Sequence, residues 1–163
     1  MLYIGAGEQS PALLFYTAGA YFCTMTRHAQ CQCGSLQVDT DGEPDSVVVC
    51  NCTACQRRSG SPLGEGAYYA RERLTFVGEV REFVRKTDAG NTFHAFFCPT
   101  CATSLYFFSS RDPNRVGIAV GAFADPSFPK PQRSVFEESK HAWIGLPADM
   151  EGFVRGRDSD RSR

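Results

Sequence analysis

Eight cysteines stand beside only three histidines in this chain of 163 residues. Seven of them form three groups: Cys31-Gln32-Cys33, Cys50-Asn51-Cys52-Thr53-Ala54-Cys55, and Cys98-Pro99-Thr100-Cys101. Cys23 stands apart. Cysteines one or two residues apart rarely pair with each other as structural disulfides, and no secretory signal argues for an oxidising compartment. A redox C-x-x-C needs a strand-to-helix setting, whereas Cys98 follows the strand-like run Thr92 to Phe97 and precedes another strand. Zinc fits better. A turn presenting two thiolates offers half of a tetrahedral site, and a second such turn completes it.

Seven ligands divide most naturally as four plus three. Cys31, Cys33, Cys98 and Cys101 close a four-thiolate structural site that ties distant parts of the chain together. Cys50, Cys52 and Cys55 supply three ligands and leave a fourth position open, which is the mark of catalytic rather than structural zinc. Two plainer readings remain beside this one. The triplet is also explained as structural, its fourth place filled by a side chain such as His94 or His141, or Cys50 is merely buried and a C-x-x-C remains. A sulfur-rich zinc is a poor acid for bound water but suits a fourth, incoming thiol, held as the nucleophilic thiolate.

The elements that must hold these residues read as short strands. Leu36 to Val38, Val47 to Val49, Leu74 to Val77, Glu82 to Val84, Thr92 to Phe97, Leu105 to Phe108 and Val116 to Val120 carry the strand signal. Asp41-Gly42, Gly64 to Gly66, Gly78, Asp88-Ala89-Gly90, Asp112-Pro113-Asn114 and Asp125-Pro126 read as the turns between them. Such close spacing predicts a mainly β chain of antiparallel sheets. The one helical candidate is a turn from Thr53 to Ser59, stopped by Gly60. His94 reads as a strand residue rather than a base, and Phe107, Phe108 and Trp143 read as core.

Composition narrows the function classes. Seventeen basic against 18 acidic residues give a net charge of −1, with no global attraction toward nucleic acid or an anionic membrane. The segment Arg71 to Lys86 carries five basic and three acidic residues, too small an excess for a nucleic-acid footprint. The expectation is a cytoplasmic protein with no membrane or nucleic-acid partner, its oligomeric state open. Residues 1–24 read as a leader, disordered or upstream of a start at Met25: their apolar stretch, Pro11 to Phe22, lacks the basic flank of a signal peptide. Residues 151–163 read as a charged tail, frayed from Arg155.

Around the cysteines the residues resemble the glutathione-dependent formaldehyde-activating enzyme and centromere protein V family. Cys31-Gln32-Cys33-Gly34 is similar to its opening motif, Cys52-Thr53-Ala54-Cys55-Gln56-Arg57-Arg58-Ser59-Gly60 to its central one, and Phe97-Cys98-Pro99-Thr100-Cys101 to its third. Val120 to Pro126 and Glu138 to Trp143 resemble later blocks, so the likeness spans about residues 28–150. It implies an Mss4-like fold of sheets flanking a four-cysteine zinc site, with a three-cysteine site nearby and two zinc ions per chain. It also implies carbon–sulfur lyase chemistry, adding or releasing an aldehyde such as formaldehyde at the sulfur of glutathione or a related thiol. Glutathione carries two carboxylates, so Arg57, Arg58, Lys140 and His141 are the candidate substrate-binding residues. The alternative is a zinc-stabilised binding module without catalysis.

Overall fold

The computed structural model describes residues 26–163, so the leader, its apolar stretch and Cys23 lie outside the described residues. In chain order the strands are β1 (Thr26–Gln30), β2 (Gln37–Asp41), β3 (Ser46–Cys50), β4 (Gly64–Ala70), β5 (Leu74–Val77) and β6 (Arg81–Lys86). They continue as β7 (Thr92–Phe97), β8 (Ser104–Ser109), β9 (Asp112–Ala119), β10 (Arg133–Val135) and β11 (Glu151–Gly152). One helix, α1 (Thr53–Ser59), follows β3, as the sequence predicts. Its last turn closes on Gly60, whose φ of 65° is the left-handed cap that glycine adopts at least cost. The chain is mainly β.

Two sheets form. A three-stranded sheet has the order β1-β2-β5, and an eight-stranded sheet the order β11-β10-β3-β4-β9-β8-β7-β6. Pairing is antiparallel except at one end, where β10 runs parallel to both β3 and β11. Period-2 alternation sets the inner faces: Val38 of β2 and Val47 and Val49 of β3 are buried while their neighbours are half-exposed. The core forms where Ala29 and Val38 of the small sheet, with Leu36 just before β2, meet Ala67, Tyr69, Val116 and Ile118 of the large one. Phe76 bridges the sheets, its ring centroid 4.6 Å from that of Tyr106. Burying one such large side chain contributes about 1.5–3 kcal/mol, so this seam fixes how the sheets sit.

Four expectations change. Gly64 to Gly66, read as a turn, opens the central strand β4, and Asp112-Pro113-Asn114 opens β9. The glycines of these strands answer a packing demand. A Cβ on Gly66 would lie 2.8 Å from the Phe107 ring, and one on Gly117 would lie 2.4 Å from it. Phe107 therefore lies flat in a trough that only glycine leaves open. Trp143, read as core, is 69% exposed. The C-terminal segment is not frayed: Phe153 bridges to Arg161, and Ser162 N donates to Gly152 O at 3.0 Å.

Candidate active site

Two hairpin turns build the first cysteine cluster. Cys31 and Cys33 lie in the turn from β1 to β2, and Cys98 and Cys101 in the turn from β7 to β8. Each turn folds its backbone around a sulfur: Leu36 N donates to Cys31 Sγ at 3.3 Å, and Thr100 N to Cys98 Sγ at 3.4 Å. The four sulfurs come within 4.8 Å of one another, with Cys33 Sγ 3.5 Å from Cys31 Sγ and 3.6 Å from Cys98 Sγ. Tetrahedral ligation at about 2.3 Å per sulfur needs sulfurs roughly 3.8 Å apart, so the donor set fits a closed thiolate site. Hydroxyls favour ionisation at two of the sulfurs. The Ser35 hydroxyl, 3.3 Å from Cys98 Sγ, brings that thiol down to about 7, and the Thr103 hydroxyl, 3.2 Å from Cys101 Sγ, brings Cys101 down to about 5.

The second cluster comes from one short stretch of chain. Cys50 ends β3, Cys52 is the N-cap of α1, and Cys55 lies in its first turn. Their sulfurs also lie within 4.8 Å of one another. Neither His94 nor His141 joins them among the described residues. Cys52 Sγ accepts the Cys55 N–H at 3.4 Å, the bond a serine or aspartate makes at other helix starts. Thiol donation from Cys50 and Cys55 pulls Cys52 well below the ordinary cysteine value, with the Arg85 charge adding to the effect, while the bond to Cys52 pushes Cys50 up.

Asn51 fixes the loop between these ligands. It is fully buried, and its Nδ2 donates to Ser134 Oγ and to Val135 O, both at 2.9 Å. Its own carbonyl accepts from Gln56 Nε2 at 2.7 Å and from Ser139 Oγ at 3.0 Å. Strand β10 and the Glu137–Ser139 turn therefore clamp the start of α1.

Beside the trio lies a cleft of about 440 Å³ between α1 and the outer face of the large sheet. The helix gives it Ala54, Cys55, Arg57 and Arg58; strands β6 and β7 give it Phe83, Arg85, Phe93, Ala95 and Phe97. Ala102, from the turn that carries Cys98 and Cys101, and Ser104, the first residue of β8, also line it. Arg58 lies over the Phe107 ring at 4.4 Å and donates to Ser104 Oγ at 3.2 Å, while its buried Nε has no partner. Arg85 lies 4.9 Å over Phe93. No carboxylate is among the lining residues, and Arg57, Arg58 and Arg85 make the cleft basic.

The candidates from the sequence are thereby sorted. Arg57 and Arg58 line the cleft; Lys140 and His141 do not. Lys140 Nζ donates to Ile144 O at 3.0 Å, and His141 Nε2 lies 3.3 Å from Gln56 Oε1. His94 is a strand residue on the opposite face, bonded to Glu82 at 2.6 Å and stacked on Phe108. Sequence reasoning missed Arg85, Phe83, Phe93 and Asn51. The first three are brought to the cleft only by the pairing of β6 with β7, and Asn51 carried the one local signal, a polar residue inside the triplet.

The family model described as glutathione-dependent formaldehyde-activating enzyme matches residues 26–139, the span that holds both clusters and the cleft. The chain belongs to this family. No curated protein matches the chain in sequence. A crystal structure of a Rhodobacter sphaeroides protein is similar at 19% identity, covering 58% of this chain and 85% of that one, with a TM-score of 0.46. Membership makes a metal-binding enzyme acting on glutathione and an aldehyde the general expectation, and both cysteine clusters can hold a metal ion. Among the described residues no helix is long and apolar enough to cross a membrane.

Proposed function

We propose that the chain is a carbon–sulfur lyase that adds an aldehyde to, or releases it from, the sulfur of glutathione or a closely related thiol. One observation carries the reading: three thiols are gathered on one short loop, and one of them, Cys55, lines a cleft built from arginine and phenylalanine. Two zinc ions per chain fit the donor sets, one under Cys31, Cys33, Cys98 and Cys101, the other under Cys50, Cys52 and Cys55. At the second site zinc would supply a soft fourth position at which a substrate thiol stays ionised at neutral pH.

The chain's own residues do the rest. Arg57, Arg58 and Arg85 bind the carboxylates of the thiol substrate and orient its sulfur toward Cys55. Phe83, Phe93 and Phe97 cover the uncharged part and displace water from the cleft. Asn51 holds the loop rigid, so that substrate and ligands keep one geometry. In the reaction the thiolate sulfur attacks the carbonyl carbon, the C–S bond forms as the C=O π bond breaks, and the oxygen takes a proton from water. Release runs the same steps backward.

Exchange NMR on formaldehyde and glutathione, with and without the metal-loaded protein, tests this directly. Faster adduct exchange that is lost in Cys52→Ser supports it. No acceleration with any of several thiols, in protein shown to carry its metal, overturns it in favour of a binding module.

A further inference from the structure

Strand β6 is the free edge of the eight-stranded sheet among the described residues. It exposes Phe83 to 58% and Val84 to 46%, and carries Glu82 and Lys86 on the same face as Val84. An edge of this kind templates pairing with another strand unless it is covered or blunted.

The hydrogen-bond phase of this edge follows from the hairpin that joins β6 to β7. Thr87 N donates to Asn91 O at 2.8 Å, and Gly90 N to Thr87 O at 2.9 Å, so Thr87 and Asn91 form a hydrogen-bonded pair. With Arg85 opposite Phe93, Phe83 opposite Ala95 and Arg81 opposite Phe97, alternation makes Arg85, Phe83 and Arg81 the residues bonded to β7. The backbones of Glu82, Val84 and Lys86 therefore point outward. Arg85 Nη1 donates to Lys86 O at 3.2 Å, from the strand's own side chain, which agrees with a carbonyl directed away from β7.

From this phase and the charge pattern we infer that β6 pairs with β6 of a second copy of the chain, antiparallel about a two-fold axis at Val84, joining two large sheets into one. In this register Val84 faces the partner's Val84, and Glu82, whose Oε1 is bonded to His94, faces the partner's Lys86 on the same side of the sheet. Each of these is a hydrogen-bonded pair that exchanges two N–H···O bonds. Opposite charges directly across strands stabilise the pairing. Moving the axis to Phe83 sets Arg81 against the partner's Arg85, and moving it to Arg85 sets Glu82 against the partner's Asp88. Axes between residues set opposite faces of the pleat together. Charge, pleat and hydrogen-bond phase all select Val84.

The pairing reaches the cleft. Phe83 and Arg85 lie on the cleft face of β6, and the register sets Phe83 opposite the partner's Arg85. The exposed Phe83 ring then lies beside the partner's Arg85, and the two clefts become neighbours across the axis.

Sedimentation of the full metal-loaded chain tests the inference, with circular dichroism and thermal melting to show that each variant folds. The wild type is expected at twice the 18.0 kDa of one chain. Val84→Pro removes an outward N–H that β7 does not use, and should give folded monomer. Lys86→Glu should weaken dimerisation at least tenfold, and Glu82→Lys with Lys86→Glu should restore it. Carbodiimide coupling should yield a Glu82–Lys86 isopeptide in the dimer band alone. A wild type that stays monomeric overturns the inference. So does a dimer that survives both Val84→Pro and Lys86→Glu, or one lost when residues 1–24 are deleted.

Discussion

The two cysteine clusters use the same donor atom in opposite ways. Cys33 and Cys98 are 65 residues apart and come from different sheets, so a metal held between them closes a long loop and joins the sheets. Cys50, Cys52 and Cys55 come from a single turn between β3 and α1, so a metal there closes almost no loop. Loop-closure entropy makes the first kind of site a determinant of the fold and the second a passenger on it. The passenger is free to leave a coordination place unfilled, because little of the fold depends on filling it. The cleft with its arginines lies beside that second site. Ser104 and Ala102, which also line the cleft, tie it to the turn that the first site holds.

This contrast breaks most plainly on mutation of the four-cysteine site. Cys98→Ser or Cys101→Ser should lose the cooperative melting transition as well as metal, since structural zinc adds binding free energy of about 10–16 kcal/mol in isolated zinc-finger peptides. A normal melt in the fully chelated chain would erase the distinction between the clusters. Cys52→Ser should do the reverse: adduct exchange disappears and metal content falls from two to one per chain, while the circular dichroism spectrum is kept.

Smaller effects sharpen the comparison. Asn51→Ala removes the side-chain bonds to Ser134 Oγ and Val135 O, keeps the main-chain carbonyl that Gln56 and Ser139 use, and should cost about 1–3 kcal/mol in denaturant unfolding. Its metal loss on dilution should come from the three-cysteine site alone. Arg85→Gln should raise KM for the thiol about tenfold, equivalent to about 1.4 kcal/mol, with kcat and metal content unchanged. Lys140→Gln, outside the cleft, should change neither and serves as the control.

Spacing in the chain by itself determined the cysteine motifs, the division into four and three, the turn of helix at Thr53–Ser59 and most of the strands. These are local properties: a turn two or three residues wide either presents two sulfurs together or does not, and a strand alternates every second residue whatever it pairs with. Tertiary structure decided the rest. Gly64 to Gly66 is part of a strand because β4 pairs with β3 and β9, and Gly66 and Gly117 are glycine because Phe107, from β8, fills the space above them. Arg85 and Phe83 reach the cleft, while Lys140 and His141 do not, because the register of β6 on β7 and the course of the chain after β10 are long-range pairings. The C-terminal segment is ordered by Glu137, Gly152 and Phe153, which its own charged composition does not reveal. Ligand spacing is written within a few residues of chain. The choice of which side chains face an open site depends on neighbours brought together only by folding.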